Sequence, residues 1–281
     1  MVSVIIPAYN PSKYIMDAFS SAVIQDVKKE IIIVDDHSGE AWIDDFLSKI
    51  KWKYDVSEEK TSISGLNEKA IVFKWAGIVC DKSLKNKKFP VYIFSNRENK
   101  KVAISRNRGV KLARGKYVAF LDADDIWEEK KLEKQLEVMK QYKAAPLCNT
   151  SRMLVDSEGD MLDKIITTPL KITLKDIEKT NCINCSSVLI KRDVMLKYPM
   201  QHSDAHEDYL SWLKILKDYE YAVGIQEPLL LYRMTPGSKS GNKLKSAVMN
   251  FKTYRYAGYG FWKSIWCNIC YAINGIIKYS R

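Results

Sequence analysis

The chain has 281 residues, 46% of them apolar and 28% charged, with only 12 Gly and 8 Pro. That composition excludes disordered, collagen-like and coiled-coil chains and fits one large globular domain. Lys and Arg outnumber Asp and Glu by 45 to 34, a net charge of +11 with an isoelectric point near 9.2, so anionic partners are expected: nucleotides, nucleic acid or lipid headgroups.

The first run, VSVIIPAY, reads as a β-branched strand, and the apolar residues 1–6 are stopped by Pro7 short of the length expected of a signal peptide or membrane anchor. Residues 12–24 carry apolar side chains at helical spacing, EIIIVDD is a second apolar strand, and a further helix is expected over 40–50. Strand, helix, strand in this order opens a parallel α/β sheet, and both strands end in loops at the edge where such sheets bind ligands. Residues 51–101 hold the runs AIVFKWAGIVC and VYIFS between Lys/Glu-rich clusters, and no topology follows from them. VAISRNRGVKLARG has the helical period and closes on Gly115; the strand KYVAFLDADD follows and ends at the same edge. An amphipathic helix is expected over 128–142, short strands including SSVLI over 146–191, and a helix at HEDYLSWLKILKD with acids in the first turn, where the helix dipole favours them. Beyond Tyr232 the chain turns basic and aromatic. Its most apolar stretch, IWCNICYAINGII, is short of the roughly 18 residues of a spanning helix and is broken by Asn268 and Asn274. The expected division is an α/β domain over 1–235 and a helical, basic-aromatic region over 236–281.

Asp122 and Asp124 form a D-x-D at a strand end, with Asp125 beside them. In extended backbone, side chains at i and i+2 share a face, so two carboxylates converge where a hard divalent cation on a substrate's phosphates would bind. A polar turn capping the next helix is the plainer reading, but three crowded acids repel one another unless a cation is near. Asp35 and Asp36 end another strand, where one of them could simply cap a helix. Together with Tyr9 they could instead supply a stacking ring and a carboxylate acceptor for a nucleobase N–H.

VSVIIPAYN, VDDHS, SRNRGVKLARGKYVAFLDADD and HEDYLSWL, in that order, resemble glycosyltransferase family 2, inverting enzymes of the GT-A fold, over most of residues 1–235. YRMTPGSKSGNKLKSAV further resembles bacterial members that build O-antigen, lipopolysaccharide core or capsule. The resemblance implies a Rossmann-like, mostly parallel sheet flanked by helices. By position it makes Pro7, Ala8 and Tyr9 the base-contacting strand end and Asp36 the acid that reads uracil. It makes Asp122 and Asp124 the ribose-contacting and metal-holding D-x-D, with Mn2+ or Mg2+ as cofactor. Arg106 and Asn107 would line the donor site, although Ser105 stands where Ala is usual. Arg233 and the YRMTPGSKS segment would close over the donor, and Asp208 would be the general base.

The implied reaction is transfer of a hexosyl unit, glucose first, from a UDP-sugar to a hydroxyl of a lipid-linked saccharide. Its expected place is the cytoplasm, on the inner face of a bacterial membrane. For Glu207 a helix-start acid or acceptor-binding group and a catalytic part are both open, and His206 reads as a polar neighbour. Seventy residues separate Asp36 from Arg106, longer than the family's usual interval, so part of 51–95 is expected to be an insertion. The six cysteines suggest no secreted disulfide framework and fit a reducing cytosol. Among them, Cys182-x-x-Cys185 and Cys267-x-x-Cys270 have zinc-knuckle spacing but lie where Cys behaves as a small hydrophobe. The tail suits either an amphipathic helix on an anionic membrane or one packed on the catalytic domain. Two other functions compete: a phosphohydrolase with a strand-end Asp nucleophile, and a basic nucleic-acid-binding protein. The lysines are spread through the chain and no nucleic-acid module appears, so nucleic acid is not an expected partner.

Overall fold

In the leading strands every residue is buried, and their side chains alternate between two cores, which is why they read as unbroken apolar runs. Ile5, Ile32 and Val34 face one core, and Val4, Ile6, Ile31 and Ile33 face the other. A computed structural model describes residues 1–11, 13–39, 41–58, 71–81, 87–234 and 243–280. Its first half comprises β1 (Val2–Ala8), α1 (Ile15–Val23), β2 (Lys29–Asp35), α2 (Ala41–Lys53), β3 (Asp55–Glu58), β4 (Ile71–Asp81), β5 (Lys87–Asn96), α3 (Lys101–Leu112), β6 (Tyr117–Phe120), β7 (Ile126–Trp127) and α4 (Lys131–Gln141). The second half comprises β8 (Leu147–Val155), β9 (Met161–Ile166), β10 (Lys171–Ile172), α5 (Leu174–Ile177), β11 (Leu189–Lys191), α6 (Arg192–Lys197), α7 (Glu207–Asp218), β12 (Ala222–Arg233), α8 (Lys243–Tyr256) and α9 (Phe261–Ser280).

Among the described residues the strands form one sheet in the order β10-β12-β8-β11-β6-β1-β2-β5-β4-β3, with β7 on β12 and β9 on β8. β5, β2, β1 and β6 run parallel, so their carboxyl ends share one edge. Phe19 of α1, Phe46 of α2 and Leu132 of α4 fill one core. Val110 of α3, Trp212 of α7 and Tyr254 of α8 fill the other. A methyl group on Gly109 would lie 2.5 Å from Ile5 Cγ2, so only glycine lets α3 lie this close to β1.

Pro7 is placed where its missing N–H costs least. The bonds of Ala8 O to Asp36 N (2.7 Å) and Ile5 O to Leu121 N (3.0 Å) show that alternate residues of β1 address β2 and β6. Pro7 addresses β6 past the last paired residue Ile5, where its missing N–H breaks no ladder bond.

The helix expected over 128–142 begins only at Lys131, because Ile126 and Trp127 pair with β12 and the Glu128 N–H bonds Leu229 O (3.1 Å). SSVLI is not one strand: Cys185–Ser187 make a 3-10 turn in which the Asn184 side chain accepts from Ser186 N, and β11 starts at Leu189. Residues 51–101 resolve into β3, β4 and β5, antiparallel across β3-β4-β5 and parallel where β5 joins β2. Of the expected insertion, 59–70 and 82–86 lie outside the described residues.

Lys131 is fully buried, with Nζ donating to Gln135 Oε1 (2.7 Å) and lying 4.1 Å from the centre of the Trp127 ring. Burial pushes its ammonium down to about 7. Between that value and the ordinary lysine value the unfolded chain holds a proton that the folded chain does not, so this residue makes stability rise with pH. In urea unfolding, Lys131→Met is expected to remove about 2 kcal/mol of the gain between about pH 7 and about pH 9; equal slopes for both proteins would refute it.

Candidate active site

At the carboxyl edge, each parallel strand delivers a polar group. Tyr9 follows β1 and is 59% exposed, whereas Pro7 and Ala8 are buried in the strand and serve to place it. Asp35 ends β2, fully buried, and accepts from Ser95 Oγ (2.7 Å) and Ser38 N (3.1 Å). Asp36 caps α3 rather than the following helix: Oδ1 accepts from Lys100 N (2.8 Å) and Asn96 Nδ2 (2.7 Å), and Oδ2 from Lys101 N (2.7 Å). The plain capping role is therefore real, at a helix about sixty residues on, and Oδ2 keeps acceptor capacity for a base N–H. Asn96, which sequence reading passed over, also donates to Ser105 Oγ (2.9 Å) and accepts from Arg108. Its signal was a polar residue closing the strand run VYIFSN.

Arg106 joins the two halves of the site. Its guanidinium is buried, donating through one terminal nitrogen to Asp122 Oδ1 (2.5 Å) and through the other to Glu207 Oε1 (3.2 Å). Burial disfavours its charge, but Asp122, Glu207 and Asp208 outweigh that and hold it firmly cationic. The Asp122 N–H donates to Ser186 Oγ (3.1 Å), which fixes the D-x-D to the 3-10 turn. Asn107 spends its amide on the backbone of Met200, donating to O (2.7 Å) and accepting from N (2.9 Å). It thus holds the loop before α7 in place.

The acids next to Asp122 are crowded. Burial and the Asp122 charge push the Asp124 carboxyl up to about 6. Burial and both neighbours push Asp125 up as well, against the Ser186 hydroxyl and the Arg233 N–H, which favour its charge. An oxygen-only set with excess negative charge fits a hard divalent cation. Among the described residues no group of three or more His, Cys, Asp or Glu could hold a metal, so the protein would give two carboxylates at most, a number suited to a cation carried on a diphosphate. The two Cys-x-x-Cys pairs form no four-thiolate site among these residues; Cys182, Cys185 and Cys267 pack in the core.

Asp208 lies in the first turn of α7, partly buried, and burial together with Glu207 raises its carboxyl. His206 is the residue before the helix, its N–H bonding Thr253 Oγ1 (3.0 Å) of α8. Arg233, at the end of β12, is buried and fully engaged. Its backbone N–H bonds Asp125 Oδ1 (3.0 Å), and its guanidinium bonds Asp124 O (2.9 Å), Ser157 O (3.0 Å) and Asp17 Oδ2 (3.3 Å). It braces the D-x-D loop from behind. The rest of the expected closing segment, 235–242, lies outside the described residues.

Residues 3–67 and 79–195 match the sequence model of Glycosyl transferase family 2, and the chain belongs to that family. It is 34% identical over 280 residues to a Bacillus subtilis (strain 168) protein with the provisional name teichuronic acid biosynthesis glycosyltransferase TuaG, covering 99% of this chain and 97% of that one. It is 30% identical to the Escherichia coli UDP-Glc:alpha-D-GlcNAc-diphosphoundecaprenol beta-1,3-glucosyltransferase WfaP, covering 99% and 95%. The fold is that of the S. aureus TarS fragment crystallised with UDP-GlcNAc: TM-score 0.62 at 15% identity, over 94% of this chain and 69% of that one. The architecture is therefore GT-A, and the chain is a glycosyltransferase. Family membership sets aside the phosphohydrolase reading.

Arg106→Ala leaves Asp122 and the buried Glu207 without their shared cation. The expected loss is about 3–5 kcal/mol in urea unfolding at neutral pH. A variant as stable as the parent at neutral pH would remove the bridge from the account.

Proposed function

We propose that the protein transfers a hexosyl unit, glucose as first candidate, with inversion, from a UDP-sugar to a hydroxyl of a lipid-linked saccharide. The process would be assembly of a bacterial surface polysaccharide at the cytoplasmic face of the membrane. The observation that carries the reading is the Asp122–Arg106–Glu207 bridge, which sets the D-x-D beside the first turn of α7 and hence beside Asp208. The donor and acceptor follow WfaP, whose name specifies UDP-glucose and a diphosphoundecaprenol-linked GlcNAc, and TuaG points likewise to a cell-surface polymer.

In this mechanism Tyr9 stacks on the uracil and Asp36 Oδ2 accepts its N–H, while Pro7 and Ala8 fix the strand end beneath them. Asp124, with the oxygen of Asp122 not used by Arg106, would hold Mn2+ or Mg2+, whose contribution is positive charge against the departing diphosphate. Arg106 keeps Asp122 in place, Asn107 holds the Met200 loop, and Arg233 braces the backbone of Asp124. Asp208 takes the proton of the acceptor hydroxyl as its oxygen forms the new bond to the anomeric carbon. The bond from that carbon to the β-phosphate oxygen breaks on the opposite face, its electron pair leaves with UDP, and the configuration inverts. A carboxyl raised by burial suits a base that must accept a proton near neutral pH.

Thermal unfolding with UDP, GDP, CDP and dTDP, each with Mn2+ or EDTA, tests the donor site. The expected result is a UDP shift that requires Mn2+, is lost in Asp124→Asn, and fades below about pH 6 as Asp124 takes up its proton. No nucleotide shift in a cooperatively unfolding sample would sink the assignment.

Asp208→Asn is expected to keep the UDP shift and to lose about a thousandfold in kcat with UDP-glucose and a lipid-linked acceptor. Turnover near the parental rate would move the base elsewhere.

A further inference from the structure

We infer that the outer face of α9 is a docking surface for an anionic lipid bilayer. The inference rests on the proposed function only in that a lipid-linked acceptor would lie in that bilayer; the surface itself is argued from three separate observations.

The first is the helix face. Trp262, Trp266, Ile269 and Ile273 follow one another at four-, three- and four-residue steps, a single stripe along α9. They are 79%, 66%, 48% and 53% exposed, and Phe261 (54%) widens the stripe at its start. The helix is nevertheless firmly docked by its other side, where Ser264 and Cys267 are buried and Tyr254 OH approaches Cys267 O (3.5 Å). A soluble helix would place polar residues on its outer stripe; here tryptophan and isoleucine stand there, the side chains that enter the boundary of headgroups and acyl chains. Among the described residues no helix is long and apolar enough to cross a membrane, so the arrangement fits lying on the surface.

The second is charge. Residues 236–281 contain eight Lys and Arg and no Asp or Glu. The other 235 residues hold 37 basic and 34 acidic ones, so eight of the eleven net positive charges belong to the last 46 residues. Each cation near an anionic surface adds to binding, and the attraction falls with salt. The same charge disfavours a second copy as occupant, since two such regions face to face would repel.

The third is the connection to the site. α8, on which α9 packs, grips the loop just before Asp208. Thr253 Oγ1 accepts from His206 N (3.0 Å), Lys252 Nζ bonds Asp204 (2.8 Å), and Tyr256 stacks on His202 with ring centres 3.7 Å apart. A bilayer on α9 thus has a short, rigid connection to the acid proposed to activate the acceptor.

The test is flotation of the full chain with vesicles of phosphatidylcholine alone or with phosphatidylglycerol, at low and high salt, beside Trp262→Ser/Trp266→Ser and, as control, Trp52→Ser. Trp52 is 89% exposed but lies on α2, away from the stripe. The parent and the control should float with the anionic vesicles, more weakly as salt rises, and the double variant should bind at least about tenfold more weakly. The Mn2+-dependent UDP shift should persist in all three, which reports folding and the donor site apart from the lipid surface. Binding of parent and double variant alike, or no anionic-vesicle binding by a parent that still binds UDP, would overturn the proposal. So would a dimer in sedimentation that the double variant abolishes, since the face would then belong to a second copy.

Discussion

A guanidinium buried between two carboxylates organises this molecule. Arg106 reaches from α3 to Asp122 at the end of β6 and to Glu207 at the start of α7, two places 85 residues apart in sequence. Taking three charges out of water gains little net stability, because desolvation offsets most of the attraction. What such a bridge contributes is geometry. It ties the acid pair at the sheet edge to the helix that bears Asp208, and it offsets part of the negative charge that Asp122, Asp124, Asp125, Glu207 and Asp208 build up there.

Much of the surrounding structure exists to keep that bridge aligned. Gly109 lets α3 settle on β1, which brings Arg106 to the edge where β1 and β6 cease to pair. Asp36 caps α3 from the end of β2, so the helix carrying Arg106 is fixed by the same residue that the family resemblance gives to the base. Asn107 clamps the Met200 loop, Ser186 holds the Asp122 backbone, and Arg233 grips the Asp124 carbonyl. Each of these groups constrains backbone; none of them needs to touch a substrate in order to matter.

The elements legible in the sequence are those whose signal is local. β1 and β2 announce themselves because burial on both faces gives them the apolar runs Val4–Ile6 and Ile31–Val34, and α7 because its acids and its helical period coincide. The beginnings of α4 and β11 were misread because distant partners decide them: β12 captures Ile126 and Trp127, and the Asn184 side chain turns the chain at Cys185–Ser187. The acids at strand ends were visible as candidates, but what each one does depends on long-range contacts. No spacing rule says that Asp36 caps a helix about sixty residues away, that Arg106 selects Glu207 rather than a nearer acid, or that Asn107 spends both ends of its amide on Met200. Asn96 was missed because an isolated strand-end asparagine has no pattern; its importance lies in three partners brought together by the sheet.

The distribution of charge carries the last step. A site crowded with carboxylates must borrow positive charge, and among the described residues Arg106 supplies a shared guanidinium, while the guanidinium of Arg233 is turned to backbone carbonyls and Asp17. Burial first, and the neighbouring acids second, raise the carboxyls of Asp124, Asp125 and Asp208. The last 46 residues hold eight cations and no acid, and α8 and α9 within them pack on the core that α7 shares. One chain thus keeps its crowded acids and its all-basic C-terminal stretch in separate parts of its sequence. That separation is what a protein needs if one part must receive a cation with an anionic ligand and another must meet an anionic surface, since merging the two would neutralise both.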